Sequence, residues 1–133
     1  IVSGSIVTIG SLVAINNTED AAAKLVYGIA SSAGVVALTY GIAAHYYGNS
    51  YNSFYETLKH SGLSPLQKSL LVKSYLTNEA ERREKIQRLQ MIAHFLAGTL
   101  NLYSASIEKD PNAKTFFNVL AGINFILGVT FVF

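Results

Sequence analysis

The chain has no cysteine and no tryptophan, only two prolines, and few charges: 14 % of its 133 residues are Asp, Glu, Lys or Arg. Each shortage excludes something. Without cysteine there is no disulfide framework, no thiolate metal site and no thiol nucleophile. An ordinary soluble domain carries about 25 % charged residues, so this chain lacks the means to build a broadly ionic surface. A net charge of only +2 gives no reason to expect nucleic acid as a partner. There is also no glycine-rich phosphate loop, no GxSxG elbow and no credible pairing of carboxylates, so neither a cofactor nor enzymatic chemistry is expected.

What is present is strongly segregated. Residues 1 to 18, 25 to 55, 89 to 107 and 115 to 133 contain no Asp, Glu, Lys or Arg. A soluble core helix must still show water a polar face, so ion-free blocks of this length argue for lipid. The alternative is a soluble helical bundle whose outer faces use Ser, Thr, Asn, Tyr and Gly in place of ions.

The fold class expected is all-α: a polytopic membrane protein of four hydrophobic helices, forming a single helical membrane domain over residues 1–133. Residues 1–47 make a first hairpin, 48–88 an amphipathic basic connector and 89–133 a second hairpin. "NNTED" is the polar turn of the first hairpin. The fifteen residues before it span only about 23 Å as helix, so that helix is expected to continue upstream. Ser53 and Glu56 have capping-box spacing, with Gly62 as the stop of a short helix near the membrane surface. Ser64, Pro65 and Gln67 open another helix, and a further restart is expected at Thr77 or Asn78. The charged run from Glu79 to Arg88 then stands in water, and Leu89 to Ile107 enters the bilayer. Asp110 and Pro111 start the last helix.

Seven of the ten cations, Lys59, Lys68, Lys73, Arg82, Arg83, Lys85 and Arg88, lie between the second and third blocks. The positive-inside rule puts residues 48–88 in the cytoplasm. The expected location is integral to a membrane, a bacterial inner membrane, with membrane lipid and a homo-oligomer or larger membrane complex as partners.

Three constellations stand out. In the second block Ala30, Ala33, Gly34, Ala37, Gly41 and Ala44 fall on one face at ~100° per residue, which suits close helix packing in lipid; Ala43 is expected on the lipid side. In the third block His94 and Asn101 share a face, and at membrane depth they need partners, for which Asn118 and Asn124 of the fourth block are the candidates. The alternatives are interhelical bonding that fixes the bundle and a polar track for an ion or solute. Arg82, Arg83, Lys85 and Arg88 are candidate contacts for anionic headgroups, though ion pairs such as Glu81 with Lys85 and Glu84 with Arg88 compete.

Metal binding is not expected. Glu56 and His60 have i, i+4 spacing but lack the second His of a zinc-protease motif, and His45, His60 and His94 are scattered over three elements. The function expected is that of a non-enzymatic membrane structural or assembly subunit. A small channel or transport component using the His94 and Asn101 face is the first alternative. An interfacial lipid-modifying enzyme recruiting His45, Glu56 or His60 is the second.

Overall fold

A computed structural model describes residues 2–48 and 51–132. Ile1, Asn49, Ser50 and Phe133, at the edges of the expected hairpins and connector, lie outside the described residues. Among those described the chain is all-helical, with five helices: α1 Val2–Asn17, α2 Ala21–Tyr46, α3 Tyr51–His60, α4 Pro65–Ile107 and α5 Pro111–Thr130. Three of the start signals in the sequence act as caps, whereas Ser53, expected to open α3, lies within that helix. Asp20 accepts from the amides of Ala22 and Ala23 at 2.8 and 3.1 Å, and Asp110 accepts from Ala113 N at 2.8 Å. Ser64 and Gln67 form a reciprocal capping box before Pro65.

A further expected boundary is corrected. There is no restart at Thr77 or Asn78, because α4 is a single helix of 43 residues. A threonine caps only where its own backbone is extended rather than helical. Here Thr77 is itself helical, and its hydroxyl donates back to Lys73 O at 3.1 Å, satisfied inside the helix. The result is a rod of about 65 Å at ~1.5 Å per residue.

Helices α1, α2, α4 and α5 form a bundle in which α1 packs on α2, and α2 and α5 both flank α4. Its interior is mostly small and polar: Gly28, Ser31, Thr39, Ala93, Ala97, Asn101, Ser104, Ala105, Ala113, Ala121 and Asn124 are buried beside Ile15 and Val35, with Phe117 the largest fully buried side chain. Its exterior is aliphatic, and Ile6, Ile9, Val26, Ile92, Val119 and Ile126 are all exposed. Two helical stretches, one beginning at Ala21 and one at Pro111, are long and apolar enough to cross a membrane. Helix α1, at 16 residues, is shorter than the roughly 20 residues of a crossing helix, and the ion-free half of α4 carries polar residues that lower its hydropathy.

Beyond the bundle, α3 and residues 65–88 of α4 form a projecting arm. α3 leans on α4 through rings: Phe54 stacks on Tyr75 with centroids 4.0 Å and planes 9° apart. Neither α3 nor α4 before Ala93 contains a buried residue.

Candidate functional site

The chemistry-bearing side chains of the bundle collect on one seam of α4. Gln90, His94, Asn101, Ser104 and Glu108 fall within about 40° of a single line at ~100° per residue and cover about 27 Å of helix. Four of the five reach another helix. Gln90 donates to the Tyr40 hydroxyl at 3.0 Å. Asn124 donates through Nδ2 to Leu120 O, so its Oδ1 faces His94, whose Nδ1 donates to it at 3.1 Å. Asn101, 1 % exposed, donates to Ser32 Oγ at 2.8 Å and to Ala97 O at 2.9 Å. Ser104 returns its hydroxyl to Leu100 O. Asn118 stands exposed on α5, away from this seam.

Glu108 closes the seam. Its nearly buried carboxylate meets Lys24 Nζ at 2.8 Å through Oε2 and at 2.9 Å through Oε1. Oε1 also accepts from the amides of Lys109 and Asp110 at 2.8 and 3.0 Å. The Lys24 ammonium first, and then the Asp110 amide, hold this carboxyl below the usual carboxylate range against the opposing effect of burial. An open cavity beside it is lined by Ile15, Thr18, Glu19, Lys24 and Glu108. Sequence reasoning missed this pair. The available signal was the position of Lys24, one turn inside α2, whereas Glu19 and Asp20 stop before that helix begins.

At the opposite end Arg82 joins α4 to α2. One guanidinium nitrogen donates to Tyr47 O, beyond the last turn of α2, and the others engage Glu79, with Nε at 2.8 Å from Oε2. That pairing lowers the Glu79 carboxyl and raises the Arg82 guanidinium from their ordinary values. Of the four cations considered for headgroups, Arg82 is therefore committed within the protein. Arg83 is exposed and lies 3.5 Å from Glu79, Arg88 pairs with Glu84, and Lys85 is exposed.

The small-residue face of α2 divides. Gly34 is buried where α1 crosses: a Cβ built there would lie 2.5 Å from Thr8 Oγ1 and 2.7 Å from Thr8 N, and one at Gly4 would lie 2.8 Å from Leu38 Cα. Ala30 and Gly41 are half-buried, and Ala33, Ala37 and Ala44 are exposed. Ala43, expected to face lipid, is buried instead. The stripe that α2 turns inward is Gly28, Ser31, Val35, Thr39 and Ala43. Ser31 and Thr39 fit there because their hydroxyls donate to Gly28 O and Val35 O of their own helix.

No group of three or more His, Cys, Asp or Glu able to hold a metal occurs among the described residues. Glu56 and His60 pair at 3.3 Å on the exposed face of α3, while His45 packs against Tyr46. No protein-family model, no curated protein and no solved structure matches this chain.

Proposed function

We propose that the protein is a non-enzymatic integral membrane subunit, whose four bundle helices cross the bilayer together as two hairpins and whose arm stands in the cytoplasm. The observation that carries this reading is the reversed distribution of side-chain size and polarity. Large aliphatic side chains cover the outside of the bundle, while alanine, glycine, serine and asparagine make up most of its inside around Phe117, Val35 and Ile15. In water that arrangement forfeits most of the hydrophobic stabilisation available to it. In lipid, where apolar burial gives little driving force, close backbone approach and interhelical hydrogen bonds hold helices together. Of the polar residues that lower the hydropathy of α4, Asn101 and Ser104 are buried and bonded, and the exposed Thr99 and Ser106 return their hydroxyls to Phe95 O and Tyr103 O of the same helix, so they need not bar it from crossing.

The assembly role rests on α2, whose Ala33 and Ala37 remain uncovered between α1 and α5. Small residues at such a surface permit another helix, from a second copy or a larger complex, to approach closely. Single cysteines at Lys73 and at Asn112, both exposed, test the topology: an impermeant thiol reagent added to intact cells should label Asn112→Cys and spare Lys73→Cys. Equal labelling contradicts the two-hairpin arrangement. The mass of the complex extracted in mild detergent tests the subunit role, and a monomer free of any partner would count against it.

A transport component is the second reading, favoured by the length of the α4 seam, whose span of about 27 Å approaches that of a hydrocarbon core. Replacing His94 by Phe and Asn101 by Leu distinguishes the two. Loss of assembly supports the structural role, and loss of solute flux with assembly intact supports transport.

A further inference from the structure

A cleft of about 560 Å³ opens between α3 and α4, outside the bundle. Tyr51, Phe54, Tyr55 and Leu58 recur at i, i+3, i+4 and i+7, which gives α3 one apolar face. On α4 Val72, Tyr75, Leu76, Glu79 and Arg83 fall within about 100° of arc at ~100° per residue. These two faces line the cleft. They meet through rings, Phe54 on Tyr75 and Tyr51 at 6.4 Å from Tyr75 and 6.3 Å from Tyr55, without the close backbone approach found between α1 and α2. A cavity of this size, apolar along its walls and polar at one end, suits a small organic molecule.

The charges on this face select the sign of that molecule. Glu79 is the one acid among the described residues of the lining, and Arg82 already engages both of its oxygens. Arg83 approaches Glu79 only at 3.5 Å through Nε, and its side chain is 76 % exposed, so the rest of its guanidinium can take an oxyanion. Lys68 lies on the same face of α4, one turn before Val72, while Glu56 turns to His60 on the exposed side of α3. The ring walls favour a planar aromatic body over a flexible chain, which would lose more freedom on binding. We infer that the cleft binds a planar aromatic monoanion, its ring against Tyr51, Tyr55 and Tyr75 and its carboxylate on Arg83. On the membrane placement proposed above, Glu79 stands about 14 Å beyond Arg88 at ~1.5 Å per residue. That is past a headgroup layer of about 5 to 8 Å, so the ligand comes from water and not from the bilayer.

The test titrates the full chain in phosphatidylcholine nanodiscs with 1-naphthoate by calorimetry, with empty nanodiscs as the blank. Saturable one-to-one binding is expected. Arg83→Gln should weaken it about tenfold by removing a charge-assisted bond. Tyr55→Ala, which leaves the stack of Phe54 on Tyr75 in place, should weaken it about as much without loss of helical circular dichroism. Lys85→Gln, about 160° round α4 from Arg83, should leave the affinity unchanged. Absence of saturable heat above the blank overturns the proposal, and so does full affinity in Arg83→Gln. Equal affinity for 1-naphthylmethylammonium, which reverses the charge, or for octanoate, which has no ring, overturns it as well. The membrane placement is read separately, from resistance of the chain to alkaline extraction from vesicles. A chain that is extracted yet binds 1-naphthoate in this pattern overturns that placement and upholds the cleft.

Discussion

The two halves of α4 belong to different surroundings. From Ala93 onward the helix has an interior and an exterior: Ala93, Ala97, Asn101 and Ala105 are buried while Leu96 and Leu102 face outward. Before Ala93 it has no buried residue, and from Glu79 to Arg88 its surface is held by ion pairs among Glu79, Arg82, Arg83, Glu84 and Arg88. One continuous backbone thus serves two kinds of contact. In the bundle, removing volume or polarity from the inside breaks packing. In the arm, side chains meet in exposed pairs, and apart from Arg82, which reaches Tyr47 O, few changes should be felt elsewhere.

The largest effect separating these halves is expected at Lys24. Removing one partner of a buried pair strands the other charge, which costs about 3–5 kcal/mol when both are fully buried. Lys24 retains 18 % exposure, so Lys24→Met should fall near the lower end of that range in a detergent denaturation series. Acid gives a second measure. The carboxyl of Glu108 titrates lower in the fold than in the unfolded chain, so its contribution is full above the ordinary carboxylate pKa. That contribution disappears as pH falls through the depressed folded value. The wild type should lose stability on acidification through that window, and Glu108→Gln should lose less.

Next comes the crossing of α1 and α2. Gly34→Leu pushes a side chain against the backbone of Thr8 and should cost about 1–3 kcal/mol by overpacking. Gly10→Leu on the same hairpin meets nothing within 4 Å and should leave the melting temperature nearly unchanged. Equal effects would remove the close crossing.

Smaller again is the seam. Interhelical hydrogen bonds in membranes average about 0.6 kcal/mol and reach about 1.7. Asn101→Leu, which removes the bond to Ser32 and also enlarges the side chain at a packed position, should exceed that average. His94→Phe, which keeps a ring able to stack on Phe131, should sit near it. Smallest is the arm: Leu70→Ser should shift the stability of the bundle by less than about 0.5 kcal/mol.

The elements were largely legible in the sequence, because caps are local chemistry. Asp20, Ser64 with Gln67, and Asp110 mark starts that backbone amides then occupy. Thr77 misled because the same side chain can bond backward within a helix already formed. Asn124 was legible as a partner for His94, since a buried polar group needs one. The inward stripe of α2 was less so: counting only Gly and Ala as small hid Ser31 and Thr39, which neutralise their own hydroxyls. With α1 on one side of α2 and α4 on another, a single face could not describe its packing. The Lys24 and Glu108 pair joins residues 84 positions apart, a separation that no local pattern encodes.

The central claim is that equal exposure in the bundle and in the arm means different solvents. Ile126 in the bundle and Leu66 in the arm are 68 % and 72 % exposed, and the chain has no cysteine of its own to interfere. Ile126→Cys and Leu66→Cys, each reconstituted in phosphatidylcholine vesicles, should be compared for reaction with a polar maleimide supplied on both sides of the membrane. The account predicts rapid labelling at Leu66→Cys, and at Ile126→Cys none until detergent or denaturant is added. Labelling of both at the same rate in intact vesicles would contradict it.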